Sequence, residues 1–119
     1  MKDFKNLVIW QKSHQFVLDL YQATKSFPDD ERFGLMSQIR RAAVTIPSNI
    51  AEGCGRQGDA ELRRFLQIAM GSASEAEYQL QLSSDLNYMG PNEYSELNTE
   101  LVNIKKMINA FINKLTANS

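Results

Sequence analysis

The last segment of the sequence carries a regular repeat of apolar residues, and this repeat limits the fold more than any other feature. Its members recur at alternating spacings of three and four positions, as Tyr94, Leu97, Leu101, Ile104, Ile108, Phe111 and Leu115. That spacing places them on one face of an α-helix. No segment of the chain alternates apolar and polar residues with a period of two. Because a helix with one apolar face has to pack against other helices, the sequence predicts an all-α fold.

Clusters of turn-forming residues divide the chain into helix-length segments. The clusters occupy positions 27–30, 53–59 and 87–92. Gly90 followed by Pro91 is typical of one helix ending and the next beginning, and Asp59 is predicted to be the N-cap of the third helix. The sequence therefore predicts four helices with short connections, arranged as an antiparallel up-and-down four-helix bundle.

The second helical segment contains a proline without losing its periodicity. Apolar residues keep the helical spacing on both sides of Pro47. Proline removes one backbone hydrogen bond, so we expect the second helix to be kinked at this residue and not to end there. The side chain of Ser48 or Asn49 is predicted to bond backbone groups that the kink loosens.

Length and composition exclude several classes of protein. At 119 residues, with 43% hydrophobic and 23% charged residues, the chain is predicted to be a single globular domain spanning 1–119. The longest apolar run, 7–10, is far too short for a membrane span or a signal peptide, so we expect a cytoplasmic protein that does not bind membranes. One cysteine and one histidine, Cys54 and His14, cannot supply a structural zinc site, and we expect no metal and no cofactor.

Patterns typical of enzymes occur in the sequence, but their context argues against catalysis. Residues 53–58 match the dinucleotide-binding pattern G-x-G-x-x-G, yet helical segments stand where that site requires strands. A di-metal centre in a bundle needs Glu-x-x-His pairs, and Gln11 stands where the glutamate would precede His14. Cys54 has no histidine near it in sequence. We therefore expect a protein without enzyme activity.

The first helical segment, 5–25, has two apolar stripes. The stripe predicted to face the core consists of Leu7, Trp10, His14, Val17, Leu18 and Tyr21. Ile9, Phe16 and Leu20 form a second stripe, roughly 120° away around the helix. A four-helix monomer of this size does not need to cover both stripes, so the second is predicted to be an interface between copies of the chain.

All six arginines fall between positions 32 and 64, and with three acidic residues they give this stretch a net charge of +3. Such segregation favours a patch for phosphates, although the pI near 5.8 is lower than is usual for nucleic-acid-binding domains. Arg56, Arg63 and Arg64 are the predicted nucleic-acid contacts, because they fall in the loop and first turn of the third helix. The alternative is a solvated helix start in which they pair with Glu61 or Asp59.

Arg40 and Arg41 enter an otherwise apolar helical stretch, and two interpretations are open. In the first, the two arginines pair within the chain with Glu52 and Glu75, which would make them costly to remove from one side. In the second, at least one arginine points to a ligand. The sequence alone favours the internal pairing without deciding it.

This stretch also carries a resemblance to a known family. The similar residues are Phe27-Pro28, Glu31, Gly34-Leu35, Gln38, 40–43, 46–53, Arg56, Phe65-Leu66, Ala69, Gly71-Ser72 and Glu75. On these residues the chain resembles the bacterial four-helix bundle family, also called the 23S rRNA intervening-sequence protein family. The positions taken as its structural motif are Arg40, Arg41, Pro47, Asn49, Glu52 and Glu75.

The resemblance implies more about structure than about activity. Members of the family form homopentamers, rings of four-helix subunits, so a homopentamer is expected here. Some members are encoded within 23S rRNA genes, and a related branch serves as the accessory protein of diversity-generating retroelements, where it binds a reverse transcriptase and nucleic acid. Two functions follow as expectations: a non-catalytic ring that binds RNA or DNA beside a reverse-transcriptase-type partner, or a scaffold that recognises only protein.

Overall fold

The computed structural model describes residues 3–117, and these form four long helices. The helices are α1 (Val8–Thr24), α2 (Leu35–Gly55), α3 (Asp59–Asp85) and α4 (Pro91–Ala117). Short 3₁₀ turns at Phe4–Asn6 and Asp29–Glu31 precede α1 and α2, and the described part of the chain contains no strand. The predicted all-α fold is confirmed.

Each helix packs against the next one along the chain, and α4 closes the body by packing against α1. This order of contacts is that of an up-and-down four-helix bundle, as predicted. The body measures 46 × 23 × 20 Å, and its long axis fits the 27-residue helices α3 and α4, each about 40 Å long at ~1.5 Å per residue. Within residues 3–117, no helix has the length and apolarity that crossing a bilayer requires.

The core contains most of the apolar repeat that the sequence shows in α4. The buried members are Leu97, Leu101, Ile104, Ile108 and Leu115. Tyr94 and Phe111, at the two remaining positions, are half-buried against the core. Each Leu or Ile that is fully buried contributes about 1.5–3 kcal/mol, so α4 is held mainly by this face.

The two apolar stripes of α1 are exchanged relative to the prediction: the stripe predicted to lie at an interface is in the core, and the stripe predicted to lie in the core is partly exposed. Ile9, Phe16 and Leu20 lie in the core, with exposed fractions of 7%, 0% and 0%, so they leave no surface for a second copy. Leu18 and Tyr21 of the other stripe are 50% and 38% exposed. The prediction of an interface at Ile9, Phe16 and Leu20 is wrong. The purely hydrocarbon stripe is buried because the other stripe carries polar groups on Trp, His and Tyr that favour a wet edge.

The predicted turn at 53–59 begins later than the sequence suggests, because α2 continues to Gly55. Gly53 is buried, and an added Cβ there would lie 2.9 Å from the Phe65 Cβ and 3.0 Å from the Leu62 Cδ1. This glycine therefore allows α3 to approach α2 closely. The chain turns at Gly58, whose φ of 85° is a conformation that favours glycine.

The residue before Asp59 occupies the N-cap position that the sequence assigns to Asp59 itself. Asp59 is the first residue of α3, and Gly58 precedes it as the cap without a side-chain hydrogen bond. The start of α4 is as predicted: Pro91 is its first residue, and the Gly90 carbonyl accepts the N–H of Tyr94 at 2.9 Å.

The second helix passes through Pro47 without ending, as predicted. The hydroxyl of Ser48 donates to the Val44 carbonyl at 2.8 Å, and the side-chain amide of Asn49 donates to the Thr45 carbonyl at 2.8 Å. Both side chains thus bond the backbone as predicted, but to carbonyls other than that of Ala43, to which Pro47 has no N–H to donate. They occupy carbonyls one turn back along the helix, beside the position where proline has no N–H to donate.

The end of α3 is a Schellman motif built on a left-handed Asn87, whose φ is 61°. The N–H of Tyr88 donates to the Ser83 carbonyl at 2.9 Å, and the N–H of Asn87 donates to the Ser84 carbonyl at 3.0 Å. The motif turns the chain sharply toward α4. It also fixes Tyr88 against the connection between α1 and α2, where the centre of its ring lies 5.5 Å from that of Phe27.

Candidate nucleic-acid interface

The six arginines differ in whether a carboxylate neutralises them. Within residues 3–117 the ion pairs are those of Arg56, Arg64 and Lys105 with glutamates. The other arginines, which take part in no ion pair in this part of the chain, are Arg32, Arg40, Arg41 and Arg63. A phosphate competes with an existing carboxylate only at the paired arginines, so the unpaired group is the better candidate for binding anions.

The predicted nucleic-acid contacts Arg56 and Arg64 lie together at the junction of α2 and α3. Arg56 Nη2 is 2.8 Å from Glu52 Oε2, and Arg64 Nε is 3.0 Å from Glu61 Oε2. The two guanidinium carbons lie 5.2 and 4.5 Å from the centre of the Phe65 ring. The alternative prediction of a solvated helix start is therefore confirmed for Arg64 and Glu61.

Electrostatics at this junction leave little positive charge for a ligand. The hydrogen bond from Arg64 lowers the pKa of Glu61 and raises the pKa of Arg64, so both remain charged near neutral pH. Arg63, the third predicted contact, is half-buried, and its Nη1 is buried without a hydrogen-bond partner among residues 3–117. The predicted trio thus consists of two neutralised arginines and one that is partly covered.

A second group of arginines lines an open groove of about 500 Å³ between α1, α2 and the turn that connects them. The residues that line it are Tyr21, Arg32, Phe33, Met36, Ser37, Arg40, Arg41, Val44 and Thr45. We call it the arginine groove. It combines three arginines with two aromatic rings, and no carboxylate lines it.

Arg40 holds the arginine groove in place. Its Nε donates to Thr24 Oγ1 at 2.8 Å, and its Nη2 donates to the Tyr21 carbonyl at 3.1 Å. The guanidinium carbon lies 4.4 Å from the centre of the Tyr21 ring, within the range of a cation–π contact. These contacts attach α2 to the last turn of α1. None of these partners is a carboxylate, so no ion pair within residues 3–117 neutralises Arg40.

The predicted pairing of Arg40 and Arg41 with Glu52 and Glu75 is wrong. Glu52 lies on the same helix, and a separation of eleven or twelve residues corresponds to about 17 Å, which no side chain spans. Glu52 instead bonds an arginine one turn later, and Glu75 is exposed on α3. The interpretation in which at least one arginine points to a ligand stays a prediction. Arg41 is exposed at the edge of the arginine groove.

An apolar groove adjoins the arginine groove at Val44. Its volume is about 310 Å³, and its lining residues are Phe4, Trp10, His14, Val17, Val44, Pro47, Ser48 and Ala51. His14 is exposed and stacks on Trp10, with ring centres 5.0 Å apart and planes 7° from parallel. We call this the apolar groove. It is formed in part by the α1 stripe that the sequence predicts to be in the core, so the surplus apolar surface of α1 lies here.

A pair of carboxyl groups lies on the neighbouring face of the bundle, between α1 and α4. Glu100 is hydrogen-bonded to Asp19. Burial, followed by this hydrogen bond, raises the pKa of Glu100 to about 7, while Lys12 acts in the other direction. Within residues 3–117 there is no group of three or more His, Cys, Asp or Glu side chains that could hold a metal ion. The pair can share a proton but does not make a metal site.

Comparisons with known proteins agree with one another. Residues 5–110 match the sequence model of a family described as 23S rRNA-intervening sequence protein. The fold matches the crystal structure of a protein of unknown function from the S23 ribosomal protein family of Bacteroides thetaiotaomicron, with a TM-score of 0.82 and 28% identity over 88% of this chain and 98% of that one. Comparison with curated proteins gives no match.

Proposed function

The chain belongs to the 23S rRNA-intervening sequence protein family, and we propose that it is a non-catalytic, homo-oligomeric four-helix bundle that binds RNA or DNA. The arginine groove is the observation that carries this proposal, because three arginines and two aromatic rings line it without a carboxylate. Guanidinium groups match the geometry of phosphate oxygens, and aromatic rings accept stacked bases.

Local charge supports this assignment in spite of the overall balance. The chain has a net charge of −1, so long-range attraction to a polyanion is absent. At physiological salt the screening length is only about 8 Å, so a bound phosphate responds mainly to the charges beside it. In the arginine groove those charges are Arg32, Arg40 and Arg41.

Within the groove the arginines have different roles. Arg32 and Arg41 are exposed and bind phosphates directly, whereas Arg40 is held by α1 and supplies a fixed charge behind them. Arg56 and Arg64, the contacts predicted from the sequence, are secondary because each would have to leave its glutamate. The proposed nucleic-acid-binding surface is therefore the face shared by α1 and α2, and not the start of α3 that the sequence predicts.

The oligomeric part of the proposal is supported by the apolar groove and by the family resemblance. Trp10, Val17 and Pro47 line an apolar surface whose exposure to water is unfavourable. A second copy of the chain would bury this surface. A homopentamer is the assembly that the resemblance implies. Five arginine grooves on one ring would bind one strand several times, which raises the overall affinity of weak individual sites.

Fluorescence anisotropy with a labelled RNA over a series of salt concentrations tests the function. The double variant Arg32→Ala, Arg41→Ala should weaken binding and reduce the slope of log affinity against log salt by about one for each phosphate that is no longer bound. A control with the same change of charge is Lys106→Ala, Lys114→Ala on α4, which should leave the slope unchanged. Failure of the unmodified protein to bind RNA or DNA at about 50 mM salt would refute the proposal.

A protein-binding scaffold is the second candidate, and the apolar groove favours it. This groove contains no Lys, Arg, Asp or Glu among its lining residues, so it suits an apolar surface and not a polyanion. Protein that carries no nucleic acid after purification without nuclease, and whose interactions do not respond to salt, would support the scaffold over the nucleic-acid-binding function.

A further inference from the structure

Phe33, at the edge of the arginine groove, contributes little to the fold. It is 89% exposed, more than any other large hydrophobic side chain in residues 3–117. Its ring pairs with no other aromatic ring of the described chain, and the Arg32 guanidinium carbon lies 5.4 Å from its centre. Burial of phenylalanine normally stabilises a protein, so this exposed ring adds little to stability and is available for a contact outside the subunit.

The surroundings of this ring indicate the chemistry of that contact. Arg32 and Arg41 carry charges that no carboxylate neutralises within residues 3–117, and the hydroxyls of Ser37 and Thr45 also line the groove. Cations alone would suit any phosphate, and an exposed ring alone would suit any apolar surface. Together they suit a ligand with a flat aromatic group beside a phosphate, as in a nucleotide chain.

Tyr21 is less available for stacking than Phe33. The guanidinium carbon of Arg40 lies 4.4 Å from the centre of the Tyr21 ring, so one face of that ring is already covered. The Arg32 guanidinium carbon also lies over the Phe33 ring, 5.4 Å from its centre, but the Phe33 side chain is 89% exposed whereas that of Tyr21 is 38% exposed. Phe33 is therefore the ring on which a base has room to stack.

We infer that the arginine groove binds single-stranded nucleic acid, an inference that rests on the proposed function. An unpaired base stacks on Phe33, and the phosphates on either side of that base contact Arg32 and Arg41. Every base inside a duplex is covered on both faces, so a protein ring stacks only on bases that are unpaired. The groove volume of about 500 Å³ is in the range of pockets that hold ligands of nucleotide size.

The test compares single-stranded and duplex probes of the same sequence, as RNA and as DNA, by fluorescence anisotropy. The single strand should bind at least tenfold more tightly than the duplex. Phe33→Leu keeps an apolar side chain but removes the aromatic face, and it should weaken single-strand binding about tenfold while leaving duplex binding and the salt slope unchanged. Phe33→Tyr, which keeps the ring, should retain the affinity.

A spectroscopic readout separates stacking from a general decrease in affinity. With 2-aminopurine in the single strand, saturating protein should quench its fluorescence, because stacking on an aromatic ring quenches this base. Phe33→Leu at saturation should remove the quenching, and Arg41→Ala should retain it. The RNA and DNA arms show whether the 2′-hydroxyl contributes, because only RNA carries it.

The outcomes distinguish this inference from the proposed function. Equal binding of single strand and duplex, unaffected by Phe33→Leu but weakened by Arg41→Ala, would overturn the inference and leave the proposed function standing. No binding of any probe at low salt would overturn the proposed function. A smaller assembly mass of Phe33→Leu in light scattering would assign Phe33 to an interface between copies and also overturn the inference.

Discussion

The phenol of Tyr88 donates a hydrogen bond of 2.9 Å to Glu31 Oε2, joining two residues that are 57 positions apart. The other oxygen of the same carboxylate accepts the N–H of Leu35, the first residue of α2, at 3.0 Å. Glu31 thus places a negative charge at the N-terminus of α2 and connects it to the turn between α3 and α4. One carboxylate therefore links both connections at this end of the bundle.

Replacing this carboxylate is expected to change the response of the fold to acid. The bond from the Leu35 N–H, and then that from Tyr88, lower the pKa of Glu31. The stability that Glu31 contributes is therefore present above its unfolded pKa near 4.5 and is lost as the pH falls through its lower folded pKa. Glu31→Gln should melt a few degrees lower than the wild type at pH 7, and the difference should shrink toward pH 3. Thermal denaturation followed by circular dichroism at both pH values measures this. A difference that stays constant with pH would contradict the role of the charge.

Glu100 should have the opposite effect on pH dependence. Its pKa is raised to about 7 by burial and by the hydrogen bond to Asp19, so the stability linked to its proton is present below pH 4.5 and is lost as the pH rises through 7. Asp19 and Lys12 face it from α1, and Glu96 lies near it on α4. We expect Glu100→Gln to be more stable than the wild type at pH 8 by about 1 kcal/mol, a value reduced for solvent screening of a partly exposed group. The gain should disappear at pH 4.5.

Urea denaturation at both pH values measures the effect of Glu100→Gln. Glu96→Gln is the matched control, because it removes a charge from an exposed neighbour on the same helix. We expect Glu96→Gln to change stability by less than about 0.5 kcal/mol. A Glu100→Gln variant that is less stable than the wild type at pH 8 would show that the ionised carboxylate is stabilising.

Two glycine to alanine substitutions should change stability in opposite directions. At Gly53 the new methyl group would lie 2.9 Å from the Phe65 Cβ, so α3 would have to move away from α2, and we expect a loss of about 1–3 kcal/mol. At Gly71, in the interior of α3, an added Cβ has no heavy atom within 4 Å, and the better helix propensity of alanine should add up to about 1 kcal/mol. Chemical denaturation of both variants tests the pair. A neutral Gly53→Ala would mean that the helices separate easily there.

The two adjacent arginines should also differ from one another. Arg40→Ala removes charged hydrogen bonds to Thr24 and Tyr21, with an expected loss of about 1.5–3 kcal/mol. Arg41→Ala removes an exposed side chain and should change stability by less than about 0.5 kcal/mol. Equal losses in the two variants, measured by urea denaturation, would show that Arg41 also has a structural partner.

Assembly should depend on the surface where the two grooves meet. Val44 lines both grooves and is 37% exposed, so Val44→Glu places a charge in the proposed interface without removing a core side chain. Light scattering should then report the 13.5 kDa monomer with unchanged helical circular dichroism. Ile68→Glu is the matched control, at a residue of α3 that is 41% exposed and should leave the mass of the assembly unchanged. If Val44→Glu retains that mass, the interface lies elsewhere.

Part of the candidate site could be inferred from the sequence. The sequence singles out Arg40 and Arg41 as unusual and offers a ligand as one of two explanations, while the adjacent pair Arg32-Phe33 is a signal it leaves unused. Their combination with Tyr21 into one groove depends on how α1 packs against α2. Spacing along a chain does not show which charges of different helices become neighbours, and so the sequence predicts the contacts at Arg56, Arg63 and Arg64 and not in the arginine groove.

The sequence by itself determined the number of helices, their approximate ends, the buried face of α4 and the passage of α2 through Pro47. These features depend on interactions within a few residues, namely helical periodicity, proline and glycine geometry, and capping. Only the tertiary structure decided which stripe of α1 is buried. It alone also shows the close approach of α3 to α2 that requires a glycine at position 53. Both α1 stripes are apolar, and the polar groups on Trp10, His14 and Tyr21 favour a wet edge for one of them without excluding it from a core. The choice depends on which one fits the side chains of the neighbouring helices, because a core is packed to the density of a solid and accepts one arrangement.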